Sequence, residues 1–127
     1  GVEVQVALHA GSRSREKAEA EGLAVTDGAA AAAWADVIMI LTPDTTQAGI
    51  YKEQIAPHLT AGKMLMFAHG FNIRFKTIEP PADVDVTLIA PKAPGHRVRE
   101  VFQEGGGTPA GGQCLFQHFG TGKVDTP

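Results

Sequence analysis

The 127-residue sequence has few of the features that mark several protein classes. Its single cysteine, Cys114, excludes an internal disulfide framework and is typical of a reducing compartment, so we expect a cytoplasmic protein. No run of about 18 apolar residues occurs, which predicts no membrane-spanning helix. Acidic residues outnumber basic ones by 14 to 11, so we expect no polybasic surface for nucleic acid.

Two further motifs are absent. No group of acidic residues has the spacing of a divalent-metal site, because Asp83 and Asp85 have no third ligand nearby, so we predict no metal ligand in this chain. No G-x-G-x-x-G sequence occurs either. Since the chain begins inside a strand-like pattern, we expect it to be a fragment of a longer protein that carries such a loop before Gly1.

The apolar residues that are present predict strands alternating with helices. Val2, Val4 and Val6 alternate with other residues, as in a half-buried strand. The unbroken apolar run at residues 37–41 is typical of a strand buried on both faces of a parallel sheet. Further strands are predicted at residues 23–25, 64–68 and 84–89, and helices at residues 15–21, 28–35, 44–55 and 98–103.

This alternation predicts an α/β fold with a doubly wound parallel sheet. Residues 1–110 carry the pattern and form the predicted domain. Residues 111–127 show no periodicity, so we expect a poorly ordered tail there.

In a doubly wound sheet, ligands bind where the strands end at their carboxyl edge. After the first strand come Ser12, Arg13 and Ser14, and no acidic residue that would hold the ribose 2′-hydroxyl of NAD. Two hydroxyl groups and two guanidiniums, those of Arg13 and Arg15, suit the 2′-phosphate of NADP at the start of a helix. An ordinary solvated turn would have the same composition.

The third strand ends at a second candidate loop, in which Pro43 bends the chain away from the sheet. Asp44 or Thr45 is expected to cap the next helix. This loop either lines a cofactor or serves only to begin the helix. Its residues are Pro43, Asp44, Thr45, Thr46 and Gln47.

Two more loops carry groups that could bind a substrate or transfer a proton. His69 follows the fourth strand directly and either exchanges a proton or anchors its loop. Lys92 lies between Pro91 and Pro94, just before Gly95, and either binds an anionic substrate or is an ordinary solvated lysine.

Taken together, the four loops resemble the ketol-acid reductoisomerase family over about residues 1–110. The most specific stretches are Ala68-His69-Gly70-Phe71-Asn72-Ile73 and Ala90-Pro91-Lys92-Ala93-Pro94-Gly95-His96. The others are Gly11-Ser12-Arg13-Ser14 and Ile38-Met39-Ile40-Leu41-Thr42-Pro43-Asp44.

The resemblance implies an N-terminal NADP-binding Rossmann domain followed by a helical, knotted domain. It implies NADPH- and Mg²⁺-dependent conversion of 2-acetolactate or 2-aceto-2-hydroxybutyrate to 2,3-dihydroxy acids by a homo-oligomer. The family's cofactor-phosphate contacts correspond to Ser12 and Ser14, assisted by Arg13. Its cofactor-lining loops correspond to residues 43–47 and Gly95, and its active-site histidine and lysine to His69 and Lys92.

The sequence also departs from the family. His9 stands where the family usually has arginine, and the first strand, the glycine-rich loop and the metal-binding domain are absent. We therefore expect this chain to be inactive alone, with the Mg²⁺ ligands in the second domain. Three alternatives stay open: another NADP-dependent hydroxyacid dehydrogenase, a non-catalytic nucleotide-binding module, and a gene remnant that does not fold.

Overall fold

Five short apolar runs form β-strands in the structure, a computed structural model that describes residues 1–109. The predicted tail at residues 111–127 lies outside the described part. The strands are β1 (Gln5–Ala7), β2 (Ala24–Thr26), β3 (Val37–Ile40), β4 (Met64–Phe67) and β5 (Asp85–Leu88). Each lies within a predicted strand or overlaps it by at least two residues.

Helices connect the strands. They are α1 (Ser14–Ala20), α2 (Gly28–Trp34), α3 (Asp44–Ile50), α4 (Phe71–Arg74) and α5 (Gly95–Gln103). After α3 the chain continues through a π-helical turn, Tyr51–Ile55, and a 3₁₀ turn, Ala56–His58. The four-residue α4 is a helix that the sequence patterns did not predict.

The ends of α1 and α2 follow local sequence signals. Gly22, at φ +75°, lets the chain reverse after α1 in a conformation that other residues avoid. Asp27 caps α2 as predicted, accepting a hydrogen bond from the Ala30 amide at 2.9 Å. Lys63 Nζ donates to the carbonyls of Ala32 and Ala33 at the carboxyl end of α2, where a cation is favourable.

The prediction that Asp44 or Thr45 caps α3 is wrong. Pro43 occupies the N-cap position with φ −55° and ψ 140°, and no side chain caps the helix. Because the proline ring fixes φ, Pro43 precedes the helix in the cap position, and Asp44 is the first helical residue. The Thr46 hydroxyl instead donates to the Pro43 carbonyl at 2.8 Å.

All strand pairs are parallel, but they form two sheets. β1 pairs with β2, while β4 lies between β3 and β5. In the doubly wound order 3-2-1-4-5-6, the first strand lies between the strands that correspond here to β1 and β3. Residues 1–109 contain no such strand and no glycine-rich loop, which accounts for the division. The fold is therefore the predicted α/β Rossmann-like sheet without its first strand.

The core lies on one face of the three-stranded sheet. The parallel register places Ile38, Leu65 and Val86 side by side, and Ile40 next to Phe67. Leu65 and Phe67 are fully buried beneath the helical layer that follows β3. The same register brings the ends of β3, β4 and β5 to one edge of the sheet, so the loops that follow them are neighbours. Within residues 1–109, no helix has the length and apolar content needed to cross a bilayer.

The buried Tyr51 gives the fold a measurable pH dependence. Burial raises the pKa of its phenol above the usual value of about 10, because the low dielectric disfavours the phenolate. The unfolded chain then ionises first as pH rises. The stabilising contribution of Tyr51 is therefore intact below about pH 10 and is lost as pH rises through the folded-state pKa.

Tyr51 is the single tyrosine of the sequence, so phenolate absorbance reports it alone. We expect the phenolate to appear above the usual pKa and together with loss of the helical circular dichroism signal. Ionisation at the ordinary pKa in a chain that is still folded would contradict the buried position.

Candidate functional site

Two buried amide side chains join the loops that follow β3 and β4. Gln47 Nε2 donates to the Thr42 carbonyl at 2.7 Å, and its Oε1 accepts from Asn72 Nδ2 at 2.9 Å. Asn72 Nδ2 also donates to the Asp44 carbonyl at 3.1 Å. Gln47 is only 4% exposed and Asn72 only 2%. The start of α3 is thereby fastened to α4 through groups that water does not reach.

The other polar atoms of Asn72 are bound as well. Its Oδ1 accepts a hydrogen bond from the Thr77 hydroxyl. Its main-chain carbonyl accepts from the amides of Thr77 and Ile78, at 3.0 and 3.2 Å. A buried amide is tolerated only when its donors and acceptors are paired, and Asn72 meets that condition.

This connection brings His69 next to Asp44. The imidazole Nδ1 lies 3.8 Å from Asp44 Oδ2 and accepts from the Phe71 amide at 3.3 Å. In the neutral ring that hydrogen bond places the proton on Nε2, while a protonated ring would face a carboxylate. The His69 side chain is 73% exposed, so an exposed group able to exchange a proton lies at the sheet edge.

A basic turn follows β1, on the other sheet. Gly11, at φ +77°, shapes the turn, and Ser12 Oγ accepts from the Ser14 amide at 3.3 Å. Arg15 pairs with Glu19 at 3.2 Å. The exposed Arg13 makes no ion pair within residues 1–109. Its guanidinium is therefore the one in this turn left open to an anion.

Lys92 and Gly95 lie on the loop after β5. The Ile89 amide donates to the Phe67 carbonyl at 2.9 Å, so β4 and β5 stay paired up to the ends that lead into the His69 and Lys92 loops. The Lys92 side chain is exposed, and its amide donates to the Pro109 carbonyl at 3.1 Å. Gly95 begins α5.

The structure thus joins some of the predicted site residues directly and leaves others apart. Asp44, Gln47 and His69 form one connected group. Within residues 1–109, no hydrogen bond or ion pair links Arg13 or Lys92 to that group. Sequence reasoning did not identify the roles of Asn72 and Thr77, although a polar Asn72 between two apolar residues of a short segment was a usable signal.

The described residues contain no group of metal ligands, and they do line a cavity near the site. In residues 1–109, no three His, Cys, Asp or Glu side chains come close enough together to hold a metal ion. A cavity of about 650 Å³ lies between α4 and β5, and its wall is mainly apolar, with Arg74, Lys76 and Glu79 among the lining residues. Asp44, His69 and Lys92 are not part of its wall, whereas Gly70, which follows His69, is.

Comparison with known protein families identifies the family of this chain. Residues 1–113 match the NADPH-binding domain of acetohydroxy acid isomeroreductase, the enzyme also called ketol-acid reductoisomerase. The chain belongs to this family.

Solved structures agree with that assignment. An NADH-preferring ketol-acid reductoisomerase from an uncultured archaeon is 48% identical, with a TM-score of 0.77 over 83% of this chain. A semialdehyde dehydrogenase NAD-binding protein from Cupriavidus necator, solved with calcium and NAD, is 27% identical, with a TM-score of 0.55 over 63% of this chain and 29% of its own. A protein from Jannaschia sp., 17% identical with a TM-score of 0.57 over 72% of this chain and 35% of its own, shows the fold alone.

The family assignment fixes the cofactor class. The matched region is a nicotinamide-cofactor domain of an oxidoreductase family. The chain spans 32% of the length of the archaeal reductoisomerase. It therefore corresponds to a part of such an enzyme.

Proposed function

We propose that this chain supplies the cofactor domain of an NADPH- and Mg²⁺-dependent ketol-acid reductoisomerase in branched-chain amino-acid biosynthesis. The substrates would be 2-acetolactate and 2-aceto-2-hydroxybutyrate, and the products 2,3-dihydroxy acids. The observation that carries the proposal is the placement of His69 beside Asp44, at the carboxyl edge where such sheets bind ligands.

The residues around the basic turn fit a phosphate. Bound NADPH would supply the hydride for the reduction. We propose that Ser12, Arg13 and Ser14 hold its 2′-phosphate, because the unpaired guanidinium of Arg13 and the nearby hydroxyls suit a dianion. The archaeal neighbour prefers NADH, so this turn would decide which cofactor is favoured here.

The loops of the other sheet would contact the rest of the cofactor and the substrate. We propose that Pro43, Asp44, Thr45, Thr46 and Gln47 line the cofactor, as does Gly95. Gln47 is buried, so it would act by fixing the shape of its loop. His69 would lie beside the nicotinamide and exchange a proton, and the exposed Lys92 would bind the anionic substrate.

The described residues do not fit Mg²⁺. No cluster of potential ligands occurs among residues 1–109, so we propose that the metal ligands lie in another part of the longer protein. That protein is proposed to be a cytoplasmic homo-oligomer without nucleic-acid partners.

The cofactor assignment can be tested at two arginines of one turn. In a longer protein that carries this chain, we expect Arg13→Asp to weaken NADPH binding about 10- to 100-fold, the range for loss of a charge-assisted hydrogen bond. NADH binding should change much less. Fluorescence titration with both cofactors measures the difference.

Arg15→Asp is the matched control. It makes the same charge change at the second residue of α1, where Arg15 already pairs with Glu19, so its effect on NADPH should be smaller. Equal losses of NADPH and NADH affinity in the Arg13 variant would remove Arg13 from the phosphate site.

The proposed reaction is tested by turnover. The isolated 127-residue chain should consume no NADPH with 2-acetolactate and Mg²⁺, because residues 1–109 contain no group of metal ligands. The longer protein should be active and should lose activity when a chelator removes the metal. Metal-independent reduction of a hydroxyacid precursor would instead favour a simple dehydrogenase, and turnover by the isolated chain would contradict the division of the site.

A further inference from the structure

Both polar atoms of the Asn72 side chain have hydrogen-bond partners, yet no catalytic or binding role proposed above includes this residue. It is the second residue of α4 and only 2% exposed. Its amide group has three partners on two segments: the Asp44 carbonyl and the Gln47 side chain, both in α3, and Thr77 beyond α4. A four-residue helix is too short to be stable through its own backbone hydrogen bonds, so the position of α4 depends on these side-chain bonds.

Both hydrogen bonds that join the start of α3 to α4 within residues 1–109 come from Asn72 Nδ2. One reaches the carbonyl of Asp44, the residue whose carboxylate faces the imidazole. His69 lies only three residues before Asn72 on the other loop. Asn72 therefore connects Asp44 to the chain segment that carries His69, and the two side chains lie 3.8 Å apart.

The structure assigns Asn72 as a positioning residue that holds Asp44 and His69 together. The inference rests on the proposed function only for the role of Asp44 and His69 at the cofactor, since their positioning by Asn72 needs no cofactor. Asn72 does not reach the sheet edge, because it is buried while the His69 side chain is 73% exposed. It acts on the site through the two loops that it joins.

The chemistry at this position requires an amide. Nδ2 donates to two oxygens, Asp44 O and Gln47 Oε1, while Oδ1 accepts from Thr77. An aspartate of the same shape would present only acceptors to those two oxygens and would repel them. A leucine of similar size would leave the Asp44 carbonyl and Gln47 Oε1 without this donor in a buried place. Both changes should separate the loops.

The test uses the 127-residue chain and two readouts. Isotope-edited NMR detects the nuclear Overhauser effect between the His69 ring and the Asp44 β-protons, which requires the two side chains to be close and needs no cofactor. The second readout is NADPH affinity, measured in a longer protein that carries the chain. Asn72→Asp should abolish the first signal and weaken NADPH binding about tenfold.

Two milder variants keep the test decisive if the Asn72 variant does not fold. Thr77 is exposed, so Thr77→Val removes one hydroxyl donor at little structural cost, and Thr77→Ser keeps that donor. We expect a weaker His69–Asp44 signal and weaker NADPH binding in the valine variant, and wild-type behaviour in the serine variant.

Lys63→Met controls for lost stability. It deletes two hydrogen bonds to the end of α2, remote from the network, and should leave the His69–Asp44 signal intact. Folded Asn72→Asp or Thr77→Val chains with an unchanged signal would overturn the positioning role. If the signal is lost as expected but even the unaltered longer protein does not bind NADPH, the proposed function fails while the positioning role stands.

Discussion

The hydrogen bond between the amides of Asn72 and Gln47, 2.9 Å long, controls the geometry of this site. Both side chains are buried, so loss of this hydrogen bond would leave a donor and an acceptor unpaired away from water, which is costly. Gln47 in turn holds the Thr42 carbonyl, and Asn72 holds the Asp44 carbonyl and the turn at Thr77. The loops after β3 and β4 therefore behave as one structural unit, with exposed reactive groups supported by a rigid buried layer.

The parallel sheet makes that unit possible. Because Ile40 and Phe67 are register partners, the strands end level with one another, and the residues that follow them meet. The phosphate-binding candidates lie elsewhere, after β1 in the smaller sheet. A dinucleotide that reached both groups would have to extend from one sheet to the other. It would cross the position between β1 and β3 that the first strand occupies in a complete doubly wound sheet. The contacts that we propose for the two ends of the cofactor therefore lie on different sheets of residues 1–109.

Sequence reasoning predicted the strands well because each one contributes apolar side chains to a shared core, and that requirement leaves a clear pattern. It missed α4, whose four residues are too few to show helical periodicity and whose position depends on the bonds of Asn72. It misassigned the cap of α3 because Pro43 has a backbone preference stronger than the side-chain signal of Asp44. Asp44 and His69 were both named as candidates. Their proximity depends on strand register, which a single sequence does not reveal.

We propose that the loop residues of the two sheets bind opposite ends of one nicotinamide cofactor. The most direct test is a crystal structure, with NADPH bound, of a longer protein that carries this chain and the missing strand. We expect the 2′-phosphate to contact Ser12, Arg13 and Ser14, and the nicotinamide ring to lie beside His69 and Asp44. A cofactor bound away from either group of residues would contradict this proposal.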